Sequence, residues 1–490
     1  MDIFFTDYFK IKPEILKKYG AFNISIISDL PLFIDPFLLF NSKKVKYQNL
    51  HSKIIDYLKF LKDKSISGEI PKGALESWYK FSEVEQNWLG FSIGGNKGSG
   101  LGMGFAKALN ENFYKIFKKF SEEEITKGSH LEKLCLIKEG VGKDSISDFS
   151  TNLIKEFLLE YTQEFAQKHI DQDLTDTFRV QRVKFNVDTE TWEEKEYILP
   201  KYKNDYVLLT PKELLTKDDT WINKKDLIED FDRIPNAISD EQLRFQVNNY
   251  LKSQLTNEPD REPTKKEKTS AIFATIQKFP ELIDFFIKYK EENGDLAESI
   301  SNQKIEFSQQ VYISNVQNFV RELRKTDFYT KESETSFEEA KNKIEILKKF
   351  IENKDGYRLF YDKKGKVVSS ESDVQLLFML ACSDSIFDVN REPNNGRGPV
   401  DFSVSFGKKD KTLVEFKLAK NNQLKRNLQK QVEVYGEANE TKMAFKVIIY
   451  FTQDEHDRVS RILKEINLEN QSNIILIDAR NDNKPSASKA

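Results

Sequence analysis

Two consecutive runs near the C-terminus constrain the fold more than any other feature. Pro399–Phe406 and Thr412–Leu418 both alternate apolar and polar residues with a period of two, and the turn-forming segment Gly407-Lys-Lys-Asp410 separates them. Alternation places Phe402, Val404 and Phe406 on one face of the first run, with Asp401, Ser403 and Ser405 on the other. In the second run Val414, Phe416 and Leu418 share the core face, which leaves Glu415 and Lys417 side by side on the opposite one. A hairpin is predicted, with Asp401 facing away from the core. Opposed residues share a face, so Asp401 meets Glu415 or Lys417 only if the loop holds an odd number of residues or a bulge intervenes. A four-residue loop would set Asp401 opposite Phe416.

These residue types suit one chemistry. Magnesium takes one or two carboxylates, keeps several waters and leaves room for a substrate phosphate, and Asp401 and Glu415 offer those hard oxygen ligands. Two adjacent carboxylates repel each other, and a cation between them relieves the repulsion. Lys417 can orient or help deprotonate an attacking water and can stabilise charge growing on a phosphate. Just beyond the second strand, Gln431 and Tyr435 stand at i and i+4, on one face of a helix.

The ordered set Glu371, Asp401, Glu415, Lys417, Gln431 and Tyr435 resembles the PD-(D/E)XK nuclease superfamily, in particular its RecB-type branch with a Gln-x-x-x-Tyr helix after the Glu-x-Lys strand. The resemblance covers the last quarter of the chain. It implies a mixed sheet flanked by helices, as in restriction endonucleases, and Mg2+ as cofactor with Mn2+ able to substitute. It assigns Glu371, Asp401, Glu415 and the Phe416 carbonyl to the metal, and Lys417 to catalysis. Gln431 and Tyr435 then buttress the site or touch the scissile strand. Here Pro399 and Asp401 are separated by Val400, one residue more than the family motif, and Asp373 competes with Glu371 as the acid from the first helix.

A substrate track accompanies the site. Lys417, Lys420, Lys425, Arg426 and Lys430 follow one another with no acid between Lys417 and Gln431, in a chain whose formal net charge is -3. Local positive charge beside two acids suits a phosphate backbone, and Arg397 in the Gly/Asn-rich loop Asn390–Gly398 adds to it.

The remainder excludes more than it specifies. Cys135 and Cys382 are the only cysteines, far apart and without metal-ligand spacing, and histidines 51, 130, 169 and 456 form no cluster in sequence, so neither a disulfide framework, a zinc site nor histidine catalysis is indicated. No apolar stretch reaches membrane length and the N-terminus has no basic leader, so a cytoplasmic location is expected. Fold class is multidomain α/β. Residues 1–240 read as mixed α/β, 241–355 as a helical linker region, 356–480 as the nuclease-like domain and 481–490 as a disordered tail.

In the first part, Ala21–Phe40 reads as strands broken near Pro31 and Pro36, and Gly94–Gly104 as a flexible glycine-rich loop that fits neither the Walker nor the dinucleotide signature, with a phosphate-contacting or signal-sensing loop as the alternative. Asp144, Ser145 and Ser147 read as capping groups of a helix. The expected function is hydrolysis of nucleic acid, DNA first. The architecture is analogous to bacterial antiviral or restriction effectors, in which the N-terminal region would read a nucleotide or a phage-derived trigger and a homo-oligomer would be admissible. The alternative is a non-catalytic nucleic-acid-binding or nucleotide-sensing protein on a nuclease-like fold.

Overall fold

The computed structural model describes residues 4–26, 30–66, 70–89, 110, 123–137, 141–217, 219–255, 262–309, 333–353, 356–361, 367, 371–382, 385–391, 401–407, 410–429, 444–469 and 471–484. The chain is multidomain and mixed α/β, with a C-terminal five-stranded mixed sheet flanked by helices.

In the N-terminal part, strand β1 (Leu32–Ile34) leads into helix α1 (Pro36–Asn41), followed by α2 (Val45–Ile66), α3 (Lys143–Leu153) and α4 (Lys155–His169). Strands β2 (Thr175–Asn186), β3 (Thr191–Tyr202) and β4 (Asp205–Tyr206) form an antiparallel sheet, and β5 (Leu215–Lys217) pairs antiparallel with β1. The expected strand at Pro36–Phe40 is a helix. Asp35 caps it by accepting from Phe37 N–H, and Pro36 sits at its first position, where the missing N–H costs nothing. Helix α3 begins after Gly142 with no side-chain cap, so Asp144 and Ser145 do not cap it. Ser147, expected to do so, instead accepts from Ile34 N–H across to β1.

Helices α5 (Leu282–Glu292) and α6 (Gly294–Gln309) belong to this N-terminal body and are not a spacer. Leu282, Ile283, Phe286 and Ile287 give α5 a buried stripe at helical spacing, and the Glu291 carboxylate accepts from the backbone N–H groups of Lys127 and Gly128. Trp221 donates its indole N–H to the Lys290 carbonyl, and Lys133 pairs with Asp284 at 2.6 Å. In α6, Lys304 reaches the carbonyl of Lys217 on β5.

The C-terminal unit begins earlier than residue 356. Helix α7 (Ser336–Asn353) lies on the sheet, with Ala340, Ile344, Leu347 and Ile351 fully buried. Ser336 fixes its start by donating to Asp410 from its backbone N–H at 2.7 Å and from its hydroxyl at 2.6 Å. Helix α8 (Glu371–Ala381) follows, then β6 (Asp388–Arg391), β7 (Phe402–Phe406), β8 (Asp410–Leu418), β9 (Ala444–Tyr450), helix α9 (Gln453–Glu465) and β10 (Ile474–Asp478). The sheet order is β10-β9-β8-β7-β6, with parallel pairing on the β8–β9–β10 side and antiparallel pairing on the other. Asn390 and Arg391, expected in a loop, therefore lie on an edge strand.

One face of the sheet packs under α7 and α8. The other, with Ile448 and Tyr450, packs under Val459, Ile462 and Leu463 of α9 and under Leu424 and Leu428 of the turn of helix at 424–429. Burial of Ile344, Leu347 and Ile351 contributes about 2 kcal/mol each, and that of the Ala340 methyl less. A fragment beginning at residue 356 is thus expected to lose cooperative melting in circular dichroism, whereas one beginning at residue 333 keeps it. Equal melting of the two would place α7 outside the unit.

Candidate active site

The hairpin loop decides the site. Phe406 pairs with Asp410, so three residues turn the chain, and Phe402 pairs with Val414. Extending this register by one residue sets Asp401 opposite Glu415, the odd-loop outcome that puts both on one face. Asp401 Oδ2 accepts from the backbone N–H of Phe416 at 2.5 Å, which pins the carboxylate to β8.

Helix α8 brings in the third acid. Its Phe378 ring lies 5.2 Å from that of Phe402 and 5.1 Å from that of Phe416, a three-ring contact that fixes the helix against β7 and β8. The helix starts at Glu371, whose Oε1 accepts from Lys417 Nζ at 2.7 Å, and Glu415 Oε1 lies 3.1 Å from the same ammonium. Lys417 also donates to the Phe416 carbonyl at 3.1 Å. Of the two competing acids on α8, Glu371 is the one joined to the lysine; the Asp373 side chain lies outside the described residues.

This face of the sheet is not the open surface that alternation suggests. Glu415 is 4 % exposed, and Ser403 and Leu413 are buried as well; on the same side α9 and residues 424–429 pack over Ile448 of the neighbouring β9. Burial sets the electrostatics. It drives the Asp401 carboxyl up to about 6, and Glu415 and Glu371 push in the same direction against the lowering influence of Lys417 and the Phe416 N–H. Burial disfavours the Lys417 ammonium, but Glu415, Asp401 and Glu371 outweigh it and hold the pKa above the ordinary lysine range.

The donor set suits a hard cation. Asp401, Glu415, Glu371 and the Phe416 carbonyl present only oxygen, and three acids face a single ammonium. Among the described residues no three His, Cys, Asp or Glu side chains are grouped closely enough to hold an ion; in this arrangement two of the acids converge on Lys417 instead.

Lys446 was not singled out from the sequence. It pairs with Glu415 across the β8–β9 ladder, is 8 % exposed, and donates to the Leu428 carbonyl at 3.3 Å. Burial lowers its pKa, with Glu415 opposing. A lone lysine inside the otherwise apolar run Ala444–Tyr450 was the signal that could have found it.

The basic track is only partly described. Lys420, Lys425 and Arg426 are exposed, and Lys425 pairs with Glu465 at 2.7 Å, an acid of α9 that sequence order does not place beside it. Arg458 of α9 donates to the carbonyls of Ala419 and Asn421 and so anchors the chain leaving β8. Arg397, Lys430, Gln431, Tyr435 and the Gly94–Gly104 loop lie outside the described residues. No described helix is long and apolar enough to cross a membrane.

Comparison with curated proteins and with solved structures returns no match. Two family models do match, each described as a domain of unknown function: DUF8370 over residues 10–223 and DUF8371 over residues 336–453. The second match starts at the first residue of α7 and spans Glu371, Asp401, Glu415, Lys417 and Lys446, so the chain is similar to a recurring unit that contains the whole candidate site.

Proposed function

We propose that the C-terminal unit is a magnesium-dependent nuclease that hydrolyses phosphodiester bonds of DNA. The observation that carries this reading is the meeting of Glu371 and Glu415 at the Lys417 ammonium, with Asp401 in register beside them. Asp401, Glu415, Glu371 and the Phe416 carbonyl would hold Mg2+, or Mn2+ in its place. A bound divalent ion supplies Lewis acidity toward a phosphate oxygen and lowers the pKa of water.

The chain's own groups do the remainder. Lys417, held protonated by its three acids, places positive charge where a phosphorane would gather negative charge. The Phe416 N–H orients Asp401, and the Phe378–Phe402–Phe416 rings keep α8 in place so that Glu371 stays at the site. Lys446 supports Glu415 from the neighbouring strand.

Labelled duplex DNA titrated with the purified chain, with and without magnesium, tests the reading. Magnesium-dependent shortening supports it, and binding without cleavage in both conditions favours a non-catalytic binder. An N-terminal body joined to such a unit is consistent with an antiviral or restriction effector whose cleavage awaits a trigger, so the titration includes cell extract from infected bacteria.

Phosphate contacts are assigned to Lys420 and Arg426. Exchanging both for glutamine is expected to weaken DNA binding for every sequence and to flatten the log-log salt slope by about one unit per lost contact. Lys425→Gln should change the slope less, because Glu465 already neutralises that ammonium. An unchanged slope in the double variant would put the track elsewhere.

A further inference from the structure

We propose that the N-terminal body binds a nucleotide in the cavity between the start of α3 and the helices Lys224–Glu229 and Lys265–Lys278. The cavity measures about 570 Å³, within the range of small-molecule sites. It opens to solvent, because Gly142, Asp144, Lys225, Glu229 and Lys265 of its lining are exposed. A guest can therefore reach the groups that would hold it.

The lysines call for phosphate. Lys143, Lys224, Lys225 and Lys265 line this one cavity although they come from three separate elements. Among the described residues Lys224, Lys225 and Lys265 form no ion pair, whereas Lys44, Lys133 and Lys201 elsewhere each meet a carboxylate. Rings position two of the ammoniums: Lys143 Nζ lies 4.6 Å from the centre of the Phe33 ring, and Lys224 Nζ lies 4.5 Å from that of Phe273. Charges placed in advance in this way need little reorganisation on binding. Gathered ammoniums repel one another, and the anionic oxygens of a phosphate relieve that repulsion.

The acids of the same lining select what else the guest carries. Asp144, Asp219 and Glu229 face the cavity too, and among the described residues they form no ion pair either. Four ammoniums against three carboxylates leave the lining net positive, yet a bare inorganic anion would be repelled by the three acids. A nucleotide suits both signs: its phosphates meet the lysines, and its ribose hydroxyls or base amino group donate to carboxylates. Val141 and Ile228 add an apolar wall for the base. Every residue involved lies in the N-terminal body, so none of this depends on the nuclease reading.

The test is calorimetric titration of the full-length chain with ATP, GTP, CTP and UTP, and with inorganic triphosphate and the four nucleosides as the separate halves of the guest. EDTA is present throughout, so that no metal-borne phosphate binding at Asp401 contributes. At least one nucleotide should bind with a Kd below about 1 mM, and at least about tenfold more tightly than triphosphate or its own nucleoside. Lys265→Gln should weaken that binding at least about fivefold, through loss of a charge-assisted hydrogen bond at an exposed position. Lys268→Gln, equally exposed on the same helix but outside the cavity, should leave it unchanged. No nucleotide binding by the wild-type chain, triphosphate binding as tightly as every nucleotide, or a Lys268→Gln chain that binds no better than Lys265→Gln would overturn the proposal.

Discussion

Asp401→Asn and Glu415→Gln should each slow DNA cleavage by on the order of a thousandfold, the scale expected when one ligand or charge-stabilising group leaves a hydrolytic site. Isosteric amides are the informative replacements because both side chains occupy packed positions. Glu415 is nearly inaccessible and Asp401 is bonded to the Phe416 N–H, so alanine would open space as well as remove charge. The rate is read from disappearance of a labelled duplex, with circular dichroism to confirm that each variant is folded. A folded Asp401→Asn chain that cleaves at the wild-type rate would remove the acid from the mechanism. Glu371→Gln should cost less, since that carboxylate is the most exposed of the three that act on Lys417.

The second large effect concerns stability. Lys417→Met takes away the ammonium that Glu371 and Glu415 contact and that lowers the pKa of Asp401. Removing one partner from a largely buried ionic cluster costs about 3–5 kcal/mol, because the charges left behind are uncompensated. The Tm should therefore fall in EDTA and recover in part with millimolar magnesium, which the wild-type chain would show only weakly.

The pH dependence has a definite sign. Asp401 already titrates near 6 in the folded chain, above its unfolded value, so it takes up a proton more readily when folded, and losing Lys417 raises its pKa further. The deficit is therefore largest above that pKa, near pH 8, and shrinks as pH falls toward 5. A Tm that ignores both magnesium and pH would mean that Lys417 is an ordinary surface charge.

Alternation along Phe402–Phe406 and Asp410–Leu418 was enough to read the hairpin and the side-by-side placement of Glu415 and Lys417, because period two is a backbone property. It could not reveal that both faces of the sheet are covered. That depends on α9, which follows only after β9, and on how residues 424–429 fold back after β8, neither of which alternation within a strand reports, and it turns a solvated polar face into a semi-buried ionic cluster. The strand β3 went unread for a related reason: Thr191–Tyr202 carries Glu193, Glu194, Lys195 and Glu196, residues depleted in strands, and its pairing with β2 comes from tertiary context. Helix α1 was legible in principle, since Asp35 followed by Pro36 is a helix-start signal, but the apolar run around it read as strand. The polar groups around His130, Glu291 and Asp35 could not be anticipated at all, because they come together from segments more than a hundred residues apart.

The most direct measurement is the fate of supercoiled circular plasmid incubated with the purified chain in magnesium, with Asp401→Asn as the parallel sample and the triggering extract added to both. Nicked, linear or degraded DNA is expected from the wild-type chain only, and EDTA should abolish it. Intact plasmid from the wild-type chain in magnesium or manganese, or equal cleavage by Asp401→Asn, would contradict the proposed nuclease function.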